Sequence, residues 1–454
     1  MTGAATIPAA HAVPAGEANR VWLKIGLLSF GGPAGQIALM HRILVEEKRW
    51  IDEARFLHAL NYCMLLPGPE AQQLATFVGW MLHGNRGGII AGTLFILPGA
   101  LVMLALSAAY ALWGTVPVVA AAFLGIKAAV LAIVIDAVLR IARRALGTPV
   151  KLALAGAAFV ALFFFAIPFP QVVGAAALAG VLMHRRAPSA LADTARDPDE
   201  TEMPRQASTG GGSRSLRLAL RRALRVAAIS LALWATPIVA AGLVFGGSHV
   251  FVAEALFFSK MAVVTFGGAY AVLSYIAQQA VEIYGWLHPG DMLNGLGLAE
   301  TTPGPLILVA QFVGFLAAFR DPGPLDPLVA GALGAALTIW VTFVPCFAWI
   351  FLGAPHIEAL RTNRALNAAL SAVTAAVVGV VLNLTVWFAL HVCFAEVREV
   401  WHGPVRLWTP ELGTVAWGPV LLGIAAAVAV LRFKVGVIPL LAAAAILGVI
   451  ASQL

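Results

Sequence analysis

Charge is what this sequence has least of. Asp, Glu, Lys and Arg make up 11% of its 454 residues, where an ordinary soluble domain carries ~25%. A soluble chain of this length would usually form two or three domains with polar skins, and the residues for those skins are missing. A soluble enzyme and a nucleic-acid binder are both excluded on that ground. Cysteine is equally scarce. Cys63, Cys346 and Cys393 are scattered, form no CxxC, and as an odd set give no disulfide framework. The ten His contain no HExxH and no His/Cys cluster at metal-ligand spacing, so neither metal nor cofactor is expected. Met1–Glu17 has no Arg-rich start and is not read as a cleaved signal peptide.

What is present instead is apolar length, with 61% hydrophobic residues and a mean hydropathy of +0.89. The reading is an all-α, polytopic integral membrane protein whose outer surface meets the lipid bilayer. The same figures exclude disorder for most of the chain. Net charge is +7, and residues 185–225 hold nine Arg against five acids, which is most of the excess. A basic loop between apolar blocks orients a membrane protein by the positive-inside rule and does not point to nucleic acid.

Prolines 188, 198 and 204 and the run Gly210-Gly211-Gly212 mark residues 185–222 as a flexible linker, expected in the cytoplasm. Before it lie an N-terminal tail (1–19) and a first apolar half (20–184). After it come one extra helix (223–245) and a second half (246–454). The halves are copies. Phe30-Gly31-Gly32 recurs as Phe266-Gly267-Gly268, Glu46 and Trp50 as Glu282 and Trp286, and Pro67-Gly68-Pro69 as Pro303-Gly304-Pro305, all 236 positions on. Phe77-Val78-Gly79 recurs as Phe312-Val313-Gly314 after one deletion. Pro98 and Ala128-Ala129 recur as Pro345 and Ala375-Ala376, 247 positions on.

Each half reads as two segments, broken at FGG and at PGP, followed by four long apolar runs. With the extra helix this gives about 13 helical segments. An odd number of crossings between homologous halves inverts one against the other, which is the architecture of many secondary transporters. The pieces flanking each break are roughly 11–15 residues, too short to span alone, since a span needs ~20. Re-entrant hairpins are therefore expected, with two kinked spans per half as the alternative. Hairpins put Lys48, Arg49 and Arg55 on the same side as Arg86, Arg140, Arg143, Arg144 and the linker. The matching stretch 282–291 carries no Lys or Arg, the loss that an inverted repeat predicts.

A helix break at bilayer depth leaves N–H and C=O groups that protein, water or a ligand must satisfy. Gly31 and Gly32 allow a strained turn and Pro33 restarts a helix. Gly68 with Pro69 does the same, and Gly267, Gly268 and Gly304 repeat the pattern. The restarted helices aim unpaired N–H groups and positive dipole ends at the breaks, which makes an anion site if the four meet near the midplane. Gln72 and Gln73 follow the first PGP break and Gln311 follows the second. They offer amide donors to an oxyanion, with helix bridging as the alternative. Thr301 and Thr302 precede the second PGP, where Thr302 is expected as an N-cap and both hydroxyls as donors to the anion.

Lys127 lies deep in an apolar run, where a cation costs ~2.5 kcal/mol or more. It is expected to supply charge to the anion, with its repeat partner Thr374 opposite. Snorkelling, or pairing with Glu70 or Glu300, is the bland alternative. Glu70 and Glu300 are candidate proton or coupling carriers, and Glu70 also suits a helix-dipole role. Asp136 and Arg140 read as a structural (i, i+4) pair. Glu254 and Lys260 receive no role.

Phe30-Gly31-Gly32-Pro33-Ala34-Gly35-Gln36-Ile37-Ala38-Leu39-Met40 resembles the opening motif of the chromate ion transporter family, and Leu65–Leu74 resembles its second motif. Thr265–Tyr270 and Ala299–Pro305 resemble the matching elements of its second domain. The likeness covers nearly the whole chain apart from tail and linker, and corresponds to the long, two-domain form. It implies chromate efflux across a bacterial inner membrane, chromate resistance, and two oppositely oriented halves with about 13 membrane segments. It fixes no motif residue's role. Sulfate, a tetrahedral dianion of similar size, is the alternative substrate on the same fold. An anion channel and a membrane-bound chromate reductase are further rivals, the last disfavoured for want of a cofactor motif, metal cluster or activated Cys pair. A negative-inside potential favours exit of a dianion by ~4.6 kcal/mol per 100 mV, so uniport, proton exchange and anion exchange all stay open. A homodimer is compatible with this reading.

Overall fold

The computed structural model describes residues 13–186, 213–266, 269–353 and 363–453. Gly267, Gly268 and residues 187–212 of the linker lie outside them. In the first half, α1 (Ala15–Leu28) and α2 (Gly32–His41) flank the FGG break, and α3 (Glu53–Cys63) and α4 (Glu70–Trp113) flank the PGP break. Helices α5 (Pro117–Ala145), α6 (Pro149–Phe163) and α7 (Phe169–Arg186) complete that half, and α8 (Ser213–Phe245) is the extra helix. The second half repeats the series as α9 (Val250–Val264), α10 (Ala269–Ala277), α11 (Pro289–Thr301), α12 (Val309–Arg320), α13 (Pro327–Gly353), α14 (Arg364–Cys393), α15 (Trp417–Leu431) and α16 (Val437–Ala451). Five helices are long and apolar enough to cross a membrane, in α4, α5, α8, α13 and α14.

The repeat recurs in local detail. A π-helical turn at Arg42–Glu47 returns at Gln278–Ile283, 236 positions on. Helix α4 leaves helical backbone at His83 and Gly84 and folds back, so that Gly79 lies on Gly87. In the second half α12 folds back on α13 in the same way, Gly314 on Gly334. Glycine at each crossing lets two backbones approach with no Cβ between them, the usual device for close helix contact in lipid.

The hairpins follow from which ends meet. Lys48 pairs with Glu17 at 2.6 Å and the His83 ring lies 2.7 Å from the Val13 carbonyl oxygen. Both broken segments of the first half therefore begin and end at one face. In the second half Arg320 pairs with Asp291 at 3.0 Å and donates to the Trp286 carbonyl at 2.9 Å, and His249 lies against Gly323. Those segments also begin and end together. Counting crossings from α4 onwards places them at the opposite face, the one away from the linker. Each of the four broken segments thus turns back on itself as a re-entrant hairpin does, in two pairs of opposite orientation, and α6, α15 and α16, of 15 residues each, are apolar helices shorter than the five long ones.

Cysteine labelling tests this. In a background without Cys63, Cys346 and Cys393, Asp52→Cys is expected to react with an impermeant maleimide from the linker side only. Asp321→Cys should react from the other side only. Labelling of both from one side would rule out the inversion.

Two features were not anticipated. The halves interlock: α5 packs along α15 and α16 of the second half, and α14 along α6 and α7 of the first. Gly125 meets the backbone of Ala444 and Gly448, Gly379 that of Ala155, and Gly180 that of Ala368. These close contacts tie residues 20–184 to 246–454 along several helices. A β-hairpin, β1 (Val397–His402) paired antiparallel with β2 (Val405–Pro410), also stands between α14 and α15, on the face away from the linker.

Candidate functional site: the crossing of the helix breaks

The breaks are joined across the repeat. The Gly68 N–H donates to the Thr265 carbonyl at 3.1 Å, and the Gly304 N–H to the Ser29 carbonyl at 2.9 Å. Ser29 and Thr265 are the residues before FGG in each half, so each PGP turn is tied to the other half's FGG turn. Both hydroxyls are buried and donate one turn back, to Ile25 and Met261, each at 2.5 Å. The repeat symmetry extends to the packing: Gly68 lies against Cys346, and Gly304 against Gly99, the counterpart of Cys346. Gly68 and Gly304 have φ of 117° and 92° and Gly31 and Gly32 have 84° and 74°, a region that an L side chain rarely enters.

A small cleft opens at this crossing, with Pro33, Gln36, Pro69, Glu70, Pro305 and Ile307 in its wall. Three helix starts face it: α2 after Gly31, α4 after Pro69, and a 3-10 turn (Leu306–Leu308) after Pro305. None carries a side-chain cap. Their first N–H groups and positive dipole ends are left for whatever occupies the cleft. The fourth start, at Gly267 and Gly268, lies outside the described residues. Glu70 is the charged side chain in the wall, and no described residue hydrogen-bonds to its carboxylate or pairs with it. An ionised Glu70 would repel an anion there; a protonated one would donate to it.

The other candidates fall in different places. Gln36, named only within the FGG motif, bridges the halves in the cleft wall: its amide donates to the Gly304 carbonyl at 2.6 Å. Gln73 donates to Pro67 at 2.7 Å and so closes its own break. Gln72 donates to Thr76 and Gln311 to the Ala100 carbonyl, each at 2.9 Å. These amides brace helices. Thr302 ends α11 and does not start a helix, and its hydroxyl donates back to Ala299 as that of Thr301 does to Leu298. The chain restarts later because Pro305 is followed by the 3-10 turn. Thr374 is exposed, with its hydroxyl on Leu370.

Lys127 is not at the breaks, nor does it meet Glu70 or Glu300. Its ammonium packs on Gly290 beside Asp291. Asp291 also accepts from Tyr110 at 2.6 Å and pairs with Arg320, and Asn294 donates to Tyr110 at 2.9 Å. This polar group stands between the cleft and the β-hairpin face. Glu300 is buried and accepts from Tyr270 at 2.8 Å, with the Asp136–Arg140 pair (2.9 Å) close enough to act on it. The Asp136–Arg140 pair is the (i, i+4) pair read from the sequence, whereas Lys127 and Tyr110 meet Asp291 from the other half.

Inverted, interlocked repeats with helix breaks around a central cleft are the architecture of many membrane-embedded helical transporters. The chain belongs to the chromate transporter family, whose profile matches residues 17–181 and again 252–449, one match for each half. It is 35% identical over 376 residues to the chromate transport protein of Pseudomonas aeruginosa, covering 80% of this chain and 79% of that one. It is 28% identical to the probable chromate transport protein of Synechococcus elongatus (82% and 83% covered) and 28% identical to the chromate transport protein of Cupriavidus metallidurans (81% of each). No solved structure matches the chain.

Proposed function

We propose that this protein carries chromate out of the cytoplasm across the inner membrane and so confers chromate resistance. The observation that supports it most is the convergence of three uncapped helix starts on one cleft between the halves. That arrangement offers N–H donors and positive dipole ends to an oxyanion, and the relatives' names supply chromate as the ion. The linker faces the cytoplasm in this reading. Lys48, Arg49, Arg55, Arg86, Arg143, Arg144 and the linker arginines share its face, whereas Arg320, Arg398 and Arg406 lie towards the other. Lys127 and Arg320 form a second cationic station on the way out. Sulfate would meet the same donors. Alternating access comes from movement of the hairpins within the interlocked crossing helices.

In proteoliposomes, chromate flux that saturates and exceeds sulfate flux supports this reading. Conductance without saturation would replace the carrier with a channel. Lys127→Ala is expected to lower chromate flux by about tenfold or more while the protein still inserts and folds, since it removes a charge held at membrane depth. Unchanged flux would take Lys127 out of the pathway.

A further inference from the structure

Glu254 has no place in the cleft and no role in the reading above, yet it is a fully buried carboxyl group. It sits in the second turn of α9 and is 0% exposed, and neither carboxyl oxygen has a hydrogen-bond partner among the described residues. The polar group that comes nearest to its carboxyl is the backbone of Ala318 on α12. A methyl group on Gly334 would come within 3.0 Å of one carboxyl oxygen, so glycine at that point of α13 makes room for the carboxyl group.

The helices packed against α9 bring no cation to it. Helix α13 carries no acidic or basic side chain. Arg320 on α12 is held by Asp291, Tyr270 on α10 by Glu300, and Tyr275 by its stack on Phe169. Arg221, Arg222 and Arg225 are exposed at the far end of α8, Lys260 on α9 itself is exposed, and His249 caps its start. An ionised carboxylate in such a place is uncompensated, and a proton relieves that cost directly.

A line of further polar groups leads from Glu254 to the cleft. On α13, Gly334, Thr338, Thr342 and Cys346 stand four residues apart and share one face. Thr338 and Thr342 are buried and their hydroxyl oxygens have no partner; neither does the carbonyl oxygen of Gln311. These three side chains line one small cavity between α12 and α13. Cys346, one turn further, lies against Gly68 at the first PGP break, next to Pro69 and Glu70. Unpartnered buried polar atoms are uncommon in folded proteins, and here the Thr338 and Thr342 hydroxyls lie on one face of α13, with the Gln311 oxygen across the cavity on α12 and Glu254 beside Gly334 on α9.

We propose that Glu254 is a proton-binding site and that the Thr338–Thr342–Gln311 line carries that proton between the β-hairpin face and the cleft, coupling proton entry to anion exit. This rests on the export reading and names its driving ion. In each cycle one carboxylate takes up one proton from the outer side and gives it up towards the cleft, with Glu70 the acceptor placed there. The cavity is narrower than a water in this conformation, so the route is closed here, and it opens as the α11–α12 hairpin moves against α13.

The test uses the full-length protein in proteoliposomes with an internal pH dye. Chromate–chromate exchange, which needs no net proton, is measured alongside chromate movement driven by a pH gradient alone at zero potential, with sodium absent or present. The expected result for wild type is both activities. Glu254→Gln, which imitates the protonated form and so keeps the packing, should retain exchange and lose gradient-driven movement and the matching pH change by about tenfold or more. Thr338→Val should show the same split, and Glu254→Asp should restore part of the coupling. Absence of exchange in wild type would sink the export reading itself. Exchange without proton coupling in wild type, coupling retained in Glu254→Gln, or drive by sodium in place of protons would each overturn the proposal and leave that reading standing.

Discussion

Gly68→Ala and Gly304→Ala are each expected to lower stability by about 1–3 kcal/mol and chromate flux by about tenfold. Both residues have left-handed φ, so any side chain there adds backbone strain. At Gly68 the new methyl group also lies 2.8 Å from the Cys346 sulfur and 3.0 Å from the Gln73 amide nitrogen. At Gly304 it lies 3.2 Å from Leu308 and 3.5 Å from the Gly99 Cα, so there the strain outweighs the crowding. The same two residues donate the hydrogen bonds that tie each PGP turn to the opposite FGG turn. Displacing either turn moves helix starts that line the cleft. Thermal unfolding in detergent, together with chromate flux, measures both effects. Cys346→Ala should relieve part of the Gly68→Ala defect and none of the Gly304→Ala defect. Unshifted unfolding for both variants would mean that the turns are looser than described.

Arg406→Ala is expected to cost about 3–5 kcal/mol, because it strands a half-buried carboxylate as it breaks the pair. Arg406 is 3% exposed and pairs with Glu282 at 2.8 Å. It also donates to the Leu162 carbonyl at 2.9 Å and the Phe163 carbonyl at 3.3 Å, at the negative end of α6. It thereby holds the β-hairpin against both α6 and the π turn that precedes α11. Burial pushes the Glu282 carboxyl above its ordinary range and Arg406 pulls it back. Without Arg406 the folded carboxyl holds its proton more tightly than the unfolded one, and stability then falls as pH rises from the unfolded value through the folded one. The deficit of Arg406→Ala should accordingly be smaller near pH 5 than near pH 8. Adding Glu282→Gln should recover part of it at the higher pH. A deficit with no pH dependence would show that the lost packing, not the stranded charge, is the cause.

The β-hairpin that Arg406 holds had a signal in the sequence. Val397-Arg398-Glu399-Val400-Trp401 and Val405-Arg406-Leu407-Trp408 are rich in β-branched and aromatic residues, and His402-Gly403-Pro404 lies between them. The apolar runs on either side drew the reading to helices alone. The hairpin arms were easier to foresee, since pieces too short to span can only turn back or pair end to end. Choosing between those two needed the contacts of Glu17 with Lys48 and of Asp291 with Arg320. Lys127 was recognised as exceptional from its apolar neighbours, but its true neighbour, Asp291, lies in the other half and in no motif. Gln36 stood inside a motif in plain view and could not be told from its neighbours until Gly304 was beside it.

What the sequence by itself determined is local or statistical. Apolar runs set the crossings, glycine and proline set the breaks, the arginines set the faces, and the repeated motifs set the two inverted copies. Each of these acts through the backbone of its own segment or through the solvent it meets, so a string of residues suffices to read it. Only the tertiary structure decided that the copies interlock, that each PGP turn is tied to the opposite FGG turn, and that Glu254 is left without a partner while Lys127 is not. Those outcomes depend on which groups pack together from positions a hundred or more residues apart, where the cost of an unsatisfied charge or backbone group is settled by its neighbours in space.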